Sequence, residues 1–359
     1  GAMSGGATPA APPAPPPDTA EAEPRRRRFR GWALVLGLAL LASMAASLCF
    51  GAVTLTPRQL WAALWDLPGA DATQRIILWD LRLPRTVLAA LVGGGLAAAG
   101  TAFQALFRNA LADPYVVGAS SGAALGATLA LTLGWSTGFA GLGPLPLAAF
   151  LGALLAVAVA LLLAESGGSA SVASLLLAGT ALGAMLSAAV SFLLLWRDQP
   201  WFQVFNWLLG SFSGRSWAHV AVSWPYFAVS FVALWFMARP LDALTLGEET
   251  ASSLGLPVRR VRIGVIAAAT LAAGVAVAVS GIIGFVGLIA PHIARLLFGA
   301  GHRRLLVASA LLGAILLVWA DIGARSALAP VEVPVGIVTA ALGGPFFLYL
   351  LRRRGGRLA

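Results

Sequence analysis

Ser280-Gly-Ile-Ile-Gly-Phe-Val-Gly-Leu-Ile-Ala-Pro-His-Ile-Ala-Arg295 sets three glycines and a proline inside an otherwise apolar run. Such residues weaken a helix in water. Within a membrane they mark close helix packing or a broken helix whose backbone is satisfied by its neighbours. Ser280-Gly-Ile-Ile-Gly284 is a weak break, so the region 263–298 reads as two runs, Ile263–Val279 and Ile282–Phe298. Working outward, eight further apolar runs appear: Trp32–Phe50, Thr86–Phe107, Tyr115–Leu133, Leu145–Leu163, Val172–Leu195, Trp217–Met237, Leu305–Ala320 and Pro334–Leu351. The chain of 359 residues is 59% hydrophobic and 11% charged, with a mean hydropathy of +0.87. Soluble domains carry about 25% charged residues. The fold class expected is therefore an all-α polytopic membrane protein with about ten transmembrane helices.

All 24 basic residues are arginine, and the net charge is +10. Their distribution argues for membrane orientation rather than for nucleic acid. Ten spans put both termini on one side. Seventeen arginines then fall on that side and seven, Arg58, Arg75, Arg82, Arg85, Arg197, Arg215 and Arg325, on the other. The bias predicts cytoplasmic N- and C-termini. The single cysteine, Cys49, excludes an internal disulfide.

Residues 1–30 read as an expression-tag remnant, Gly1-Ala-Met-Ser-Gly-Gly, and a disordered basic tail, with Ala- and Pro-rich residues 7–24. Residues 31–354 form one transmembrane domain, and 355–359 a C-terminal tail. Trp32–Phe50 reads as a signal-anchor helix: it is long, lacks a convincing cleavage site, and Leu48 spoils a lipobox at Cys49. Thr56-Pro57 starts a helix with Leu60, Trp61, Leu64 and Trp65 on one face, suited to the membrane interface. A second interfacial helix ends near Gly210.

The longest polar interruption of the second half runs from Arg239 to Pro257, followed by Arg259, Arg260 and Arg262. Thr245 and Glu248 fit a capping box, and Gly255 and Pro257 stop the helix it would start. Leu246, Thr250 and Leu254 share a face, with Gly247 and Ala251 beside them. The face suits close approach by another protein, and the plain alternative is a surface loop.

Two further strings carry information. Arg108-Asn-Ala-Leu-Ala-Asp-Pro-Tyr-Val-Val-Gly-Ala-Ser-Ser-Gly122 offers a helix start at Asp113-Pro114 and a ladder of Gly118, Gly122 and Gly126. It also contains G-x-S-x-G, so a membrane hydrolase using Ser120 or Ser121 is an alternative, although the strand–turn–helix context is missing. Trp319-Ala-Asp-Ile-Gly-Ala-Arg325, Glu332-Val-Pro-Val-Gly336 and Gly343-Gly-Pro345 place Asp321, Arg325 and Glu332 at a membrane edge. A proton relay deep in a span is missing, which counts against a secondary transporter. There is no P-loop and no H-E-x-x-H, so the chain does not itself hydrolyse ATP.

These blocks, in order over about residues 50–351, resemble the FecCD/BtuC-like permeases of type II ABC importers for heme, ferric siderophores or cobalamin. The match includes Gly-Phe-Val-Gly-Leu-Ile-Ala-Pro-His-Ile-Ala-Arg295 and His302-Arg303; Ala110 departs from the usual proline. The resemblance implies a homodimer working with two cytoplasmic ATPases and a periplasmic substrate-binding protein in the bacterial inner membrane. It implies cargo moved by alternating access, heme first, then ferric siderophore or cobalamin. Coupling to the ATPase would use a segment at about 242–257, with Leu246, Gly247, Glu248, Glu249, Ala251, Leu254 and Gly255. Receptor docking would use Arg82, Arg85 and Arg325. A cytoplasmic gate would use Asn109, Leu111, Ser171, Val172 and Ala173. No catalytic residue, metal ligand or cofactor is expected on this chain; ATP and Mg would sit on the partner ATPase.

Overall fold

Apolar residues recur with no strand-like alternation, and the chain forms helix after helix. The computed structural model describes residues 19–51, 53–67, 71–135, 142–166, 171–196 and 201–355. In order the helices are α1 (Thr19–Cys49), α2 (Pro57–Trp65), α3 (Ala72–Ile76), α4 (Leu83–Leu106), α5 (Ala119–Thr132), α6 (Pro144–Ser166), α7 (Val172–Trp196), α8 (Trp201–Leu208), α9 (Trp217–Phe236), α10 (Ala238–Thr245), α11 (Glu248–Ser253), α12 (Val258–Ser280), α13 (Val286–Phe298), α14 (His302–Ser326) and α15 (Val335–Gly355). A π-helical turn, Ile77–Arg82, joins α3 to α4.

Each of the ten expected apolar runs lies on a helix. Among the described residues seven helices are long and apolar enough to cross a membrane alone. The apolar part of α15 is shorter, and α5 and α13 have only 14 and 13 residues. At 1.5 Å per residue those two reach about 20 Å, against a hydrocarbon core of about 30 Å. Irregular backbone completes the depth, which is possible only where the protein itself satisfies that backbone.

The weak break at 280–284 is real, and it is longer than the sequence suggests. Gly281 (φ 72°) and Phe285 (φ 68°) hold the chain in the left-handed region, and α13 begins at Val286 rather than at Ile282. The segment after α8 supports it: the Ser211 N–H donates to the Ser280 carbonyl at 2.7 Å. A methyl group on Gly281 would lie 2.1 Å from the Trp207 carbonyl oxygen.

Three expected helix starts move. Asp113 accepts the Tyr115 N–H at 2.9 Å in a local turn, so α5 starts beyond Gly118 (φ 92°), not at Asp113-Pro114. The Thr245 hydroxyl donates to the Asp242 carbonyl instead of capping, and α11 starts after Gly247 with no side-chain cap. Helix α1 begins at Thr19, so residues 19–30 of the expected tail are helical; Ala, Glu and Arg favour that state and outweigh Pro24. Residues 1–18, Arg197 and 356–359 lie outside the described residues. Helix α2 has its capping box from Thr56 and Gln59, with Trp61 and Trp65 exposed.

Glycine sets the spacing of the bundle. A methyl group on Gly93 would lie 2.3 Å from the Gly313 carbonyl oxygen, joining α4 to α14. On Gly100 it would lie 1.9 Å from that of Gly287, joining α4 to α13. The expected ladder packs α5 on α6 in the same way, Gly122 against Gly152 and Gly126 against Ala148. Gly100→Ala is therefore expected to destabilise the protein by about 1–3 kcal/mol, whereas Gly37→Ala, with nothing within 4 Å, is expected to be neutral. Thermal unfolding in detergent compares the two; equal midpoints would remove backbone contact as the organising feature.

Candidate functional site

Two ends of the bundle carry the polar chemistry. At the first, the chain leaves α1, crosses α2 and α3, and enters α4 through the π-helical turn. That turn delivers Arg82 and α4 delivers Arg85; α14 delivers Asp321 and, one turn on, Arg325. Arg85 donates from Nε and Nη2 to Asp321 at 2.9–3.1 Å and from Nη1 to both oxygens of Glu332 at 2.9 and 3.0 Å. Arg325 lies 3.2 Å from Asp321 and donates from Nη2 to the Ser47 carbonyl and hydroxyl at 3.0 and 2.8 Å. Arg82 donates to the carbonyls of Leu48 and Cys49 at the end of α1 and of Val53 just beyond it.

All three sequence-predicted docking arginines are thus brought together, but inside the fold. Arg82, Arg85, Arg325 and Asp321 are buried, while the Glu332 side chain is 39% exposed. Exposed guanidinium groups awaiting a receptor carboxylate do not describe them in this conformation; their donors already serve α1, α14 and the α14–α15 connection. The cluster holds three cations against two carboxylates, and among the described residues Arg82 has only carbonyl partners. Sequence reasoning placed Asp321 and Glu332 at a membrane edge but missed their bonds to Arg85. The i,i+4 spacing of Asp321 and Arg325 was the available signal.

At the opposite end α10 and α11 form two short helices between α9 and α12. Leu241, Leu244 and Ala251 are buried, whereas Leu246 and Leu254 are 70% and 64% exposed. Ala251 therefore packs inward, and the outward surface carries Leu246, Glu249, Thr250 and Leu254 with Ser252, Ser253 and Gly255 beside them. Gly247 (φ 121°) and Gly255 (φ 79°) serve the backbone turns on either side of α11. Glu248 pairs with Arg262 on α12. Asp242 accepts both the backbone N–H and the Nδ1 of His302, at 3.0 and 2.6 Å, and so caps α14 from another helix. That joint had no signal at the level of local sequence.

The expected gate residues lie on two turns. Asn109 accepts the Leu111 N–H at 3.0 Å just after Arg108 (φ 48°). Ser171 accepts the Ser174 N–H at 3.0 Å at the start of α7, beside Val172 and exposed Ala173. Gln104 with Arg295, and Glu165 with Arg259, tie these turns to the end that holds α10 and α11. Ser120 and Ser121 lie on α5, which follows no strand among the described residues, and His292 on α13 faces the Phe346 ring at 5.7 Å.

The chain is a multi-helix membrane bundle with a buried, partly neutralised arginine cluster at one end and a short helix flanked by exposed leucines at the other. Residues 39–353 match the model of the FecCD transport family, and the chain belongs to that family. It is 40% identical over 335 residues to the hemin transport system permease protein HmuU of Yersinia pestis, covering 91% of this chain and 96% of that one. It is also 40% identical over 345 residues to the vitamin B12 import system permease protein BtuC of Escherichia coli (93% and 98% covered). A third relative, the Fe(3+)-citrate import system permease protein YfmE of Bacillus subtilis, is 40% identical over 319 residues (89% and 94%). Among solved structures, an inward-facing metal-chelate type ABC transporter superposes with a TM-score of 0.81 at 32% identity, covering 90% of this chain and 99% of that one.

Removing the buried carboxylate should disrupt the arginine cluster most. Asp321→Ala leaves Arg85 and Arg325 without their shared anion and is expected to cost about 3–5 kcal/mol. Glu332→Ala, at the exposed edge, is expected to cost about 1 kcal/mol. Thermal unfolding of both variants in detergent checks the order; a reversed order would contradict the buried placement of Asp321.

Proposed function

We propose that this chain is the permease subunit of a type II ABC importer that carries a metal chelate inward by alternating access. Two copies would flank the path, with two ATPases on the side of α10 and α11 and a substrate-binding protein on the side of Arg85. The observation that carries this reading is α11. A six-residue helix is too short to stand alone, yet it is held by Ala251 and Glu248 with two leucines turned outward. Exposed leucines on a rigid, charged edge suit a groove on a partner protein. Leu246→Asp or Leu254→Asp is expected to reduce ATPase co-purification at least tenfold while the subunit still inserts, because neither side chain supports the core. Undiminished co-purification would remove the coupling role.

Heme is the cargo we propose within this class, a reading that rests on the resemblance alone. The relatives named for hemin, ferric citrate and vitamin B12 are equally similar, each at 40% identity. Uptake into proteoliposomes containing the ATPase and receptor, with hemin, ferric citrate and cobalamin as separate probes, decides it; transport of another probe without hemin transport would overturn heme. Cysteines at Leu111 and Ala173 in the same preparation should cross-link between subunits only in some nucleotide states if they form the inner gate, and nucleotide-independent behaviour would dismiss it.

Receptor docking at the arginine cluster would proceed by exchange. Glu332 occupies Arg85 Nη1 from the exposed edge, and the cluster has one more cation than anions, so an incoming carboxylate can replace Glu332 or serve Arg82. Guanidinium pairs carboxylate bidentately. Glu332→Gln is therefore expected to tighten receptor binding, by about tenfold at low salt, a gain of about 1.4 kcal/mol. Binding titrations at low and high salt measure it, and weaker binding by the variant would exclude exchange at this site.

A further inference from the structure

A groove of about 400 Å³ opens on the outside of the bundle between α1, α9 and α14, with α4 as its floor. Leu40 and Met44 of α1, Phe231 of α9, Ala310 and Ala314 of α14, and Gly94 of α4 line it. Helical register carries this lining to one end of the bundle. Ala310 lies seven residues beyond Arg303, and Phe231 lies four before Trp235, so both pairs keep to one face of their helices. At that end the Arg303 guanidinium stacks over the Trp235 ring at 4.8 Å, and that of Arg304 lies over Phe29 of α1 at 5.9 Å. The groove is apolar along its length, and the register of α14 sets two cations beyond its lining, each resting on an aromatic ring from a flanking helix.

Among the residues whose side chains the structure describes, neither arginine meets a carboxylate. The Arg303 Nε is buried without a hydrogen-bond partner. The nearby Asp242 is engaged by His302. From Arg303 to Ala314 the helix rises about 16 Å, half of a hydrocarbon core of about 30 Å. Two cations beyond one end and an apolar channel one leaflet deep fit one molecule: a bilayer lipid with an anionic head.

We propose that this groove is a binding site for an anionic glycerophospholipid. Its phosphate would sit on Arg303 and Arg304 and one acyl chain would lie along Phe231, Ala310 and Ala314. Guanidinium forks match phosphate oxygens, and basic pockets between membrane helices on the cytoplasmic side select anionic headgroups. The site is independent of the cargo and of the ATPase contact.

The test is lipid retention by the purified subunit, read by native mass spectrometry, with palmitoyl-oleoyl phosphatidylglycerol and the matching phosphatidylcholine as probes. The wild type should retain the anionic lipid at least fivefold more than the zwitterionic one. Arg303→Ala with Arg304→Ala should abolish that preference. Met44→Trp, which fills the groove from its lipid-facing side and leaves both arginines, should lower retention at least threefold. Glycerol phosphate, a headgroup without chains, should not displace the lipid. Equal retention of the two lipids, an unaffected double variant, or an unaffected Met44→Trp would each overturn the site. Displacement by glycerol phosphate would make it a free-anion site instead. A double variant that keeps its lipid but loses the ATPase would assign the arginines to protein contact and overturn the lipid reading.

Discussion

Lipid gives helices no hydrophobic reason to associate, since its tails are as apolar as leucine. What remains is close contact, and the fold depends on it. Gly93, Gly100, Gly122 and Gly126 each bring a neighbouring backbone to a distance that no side chain would permit. At such separations dispersion and weak Cα–H···O contacts act along whole helical faces. The result is a rigid inner set of α4, α12, α13 and α14, whose residues are largely buried, surrounded by helices such as α1 and α7 that remain open to their surroundings.

The polar chemistry is pushed to the ends of that inner set. Helix α4 carries Arg85 near one end and Gln104, bonded to Arg295, near the other. Helix α14 begins at His302, held by Asp242, and closes with Asp321 and Arg325 in the arginine cluster. The same two packed helices therefore reach both the segment proposed to meet the ATPase and the cluster proposed to meet the receptor. Between those ends α4 and α14 are joined by direct backbone contact, as at Gly93 and Gly313.

Much of this was legible in the sequence, and the limits have physical causes. Apolar runs are long-range averages, so each of the ten was found. Helix starts are decided by single hydrogen bonds, and three were misplaced because Asp113, Thr245 and residues 19–30 had competing local options. The small residues of the 247–255 segment suggested close approach, yet Ala251 faces the core and the leucines face out; a stretch of polar residues has no periodicity strong enough to tell the two sides apart. The three arginines could be grouped by resemblance. Their inward orientation could not be read, because it depends on Asp321 and Glu332, more than 230 positions away from Arg85 in the chain.

The wide turn at Ile77–Arg82 has a consequence for how such a chain can vary. A π-helical turn is an α-helix that has accommodated an extra residue. Deleting one residue there would restore ordinary winding and rotate everything before it by about 100° relative to α4. Arg82 would swing away from the carbonyls of Leu48 and Cys49, and α2 and α3 would turn with it. In a lineage of related chains this turn is accordingly a place where a one-residue insertion or deletion re-aims a whole face in a single event, while substitutions nearby change only one side chain at a time.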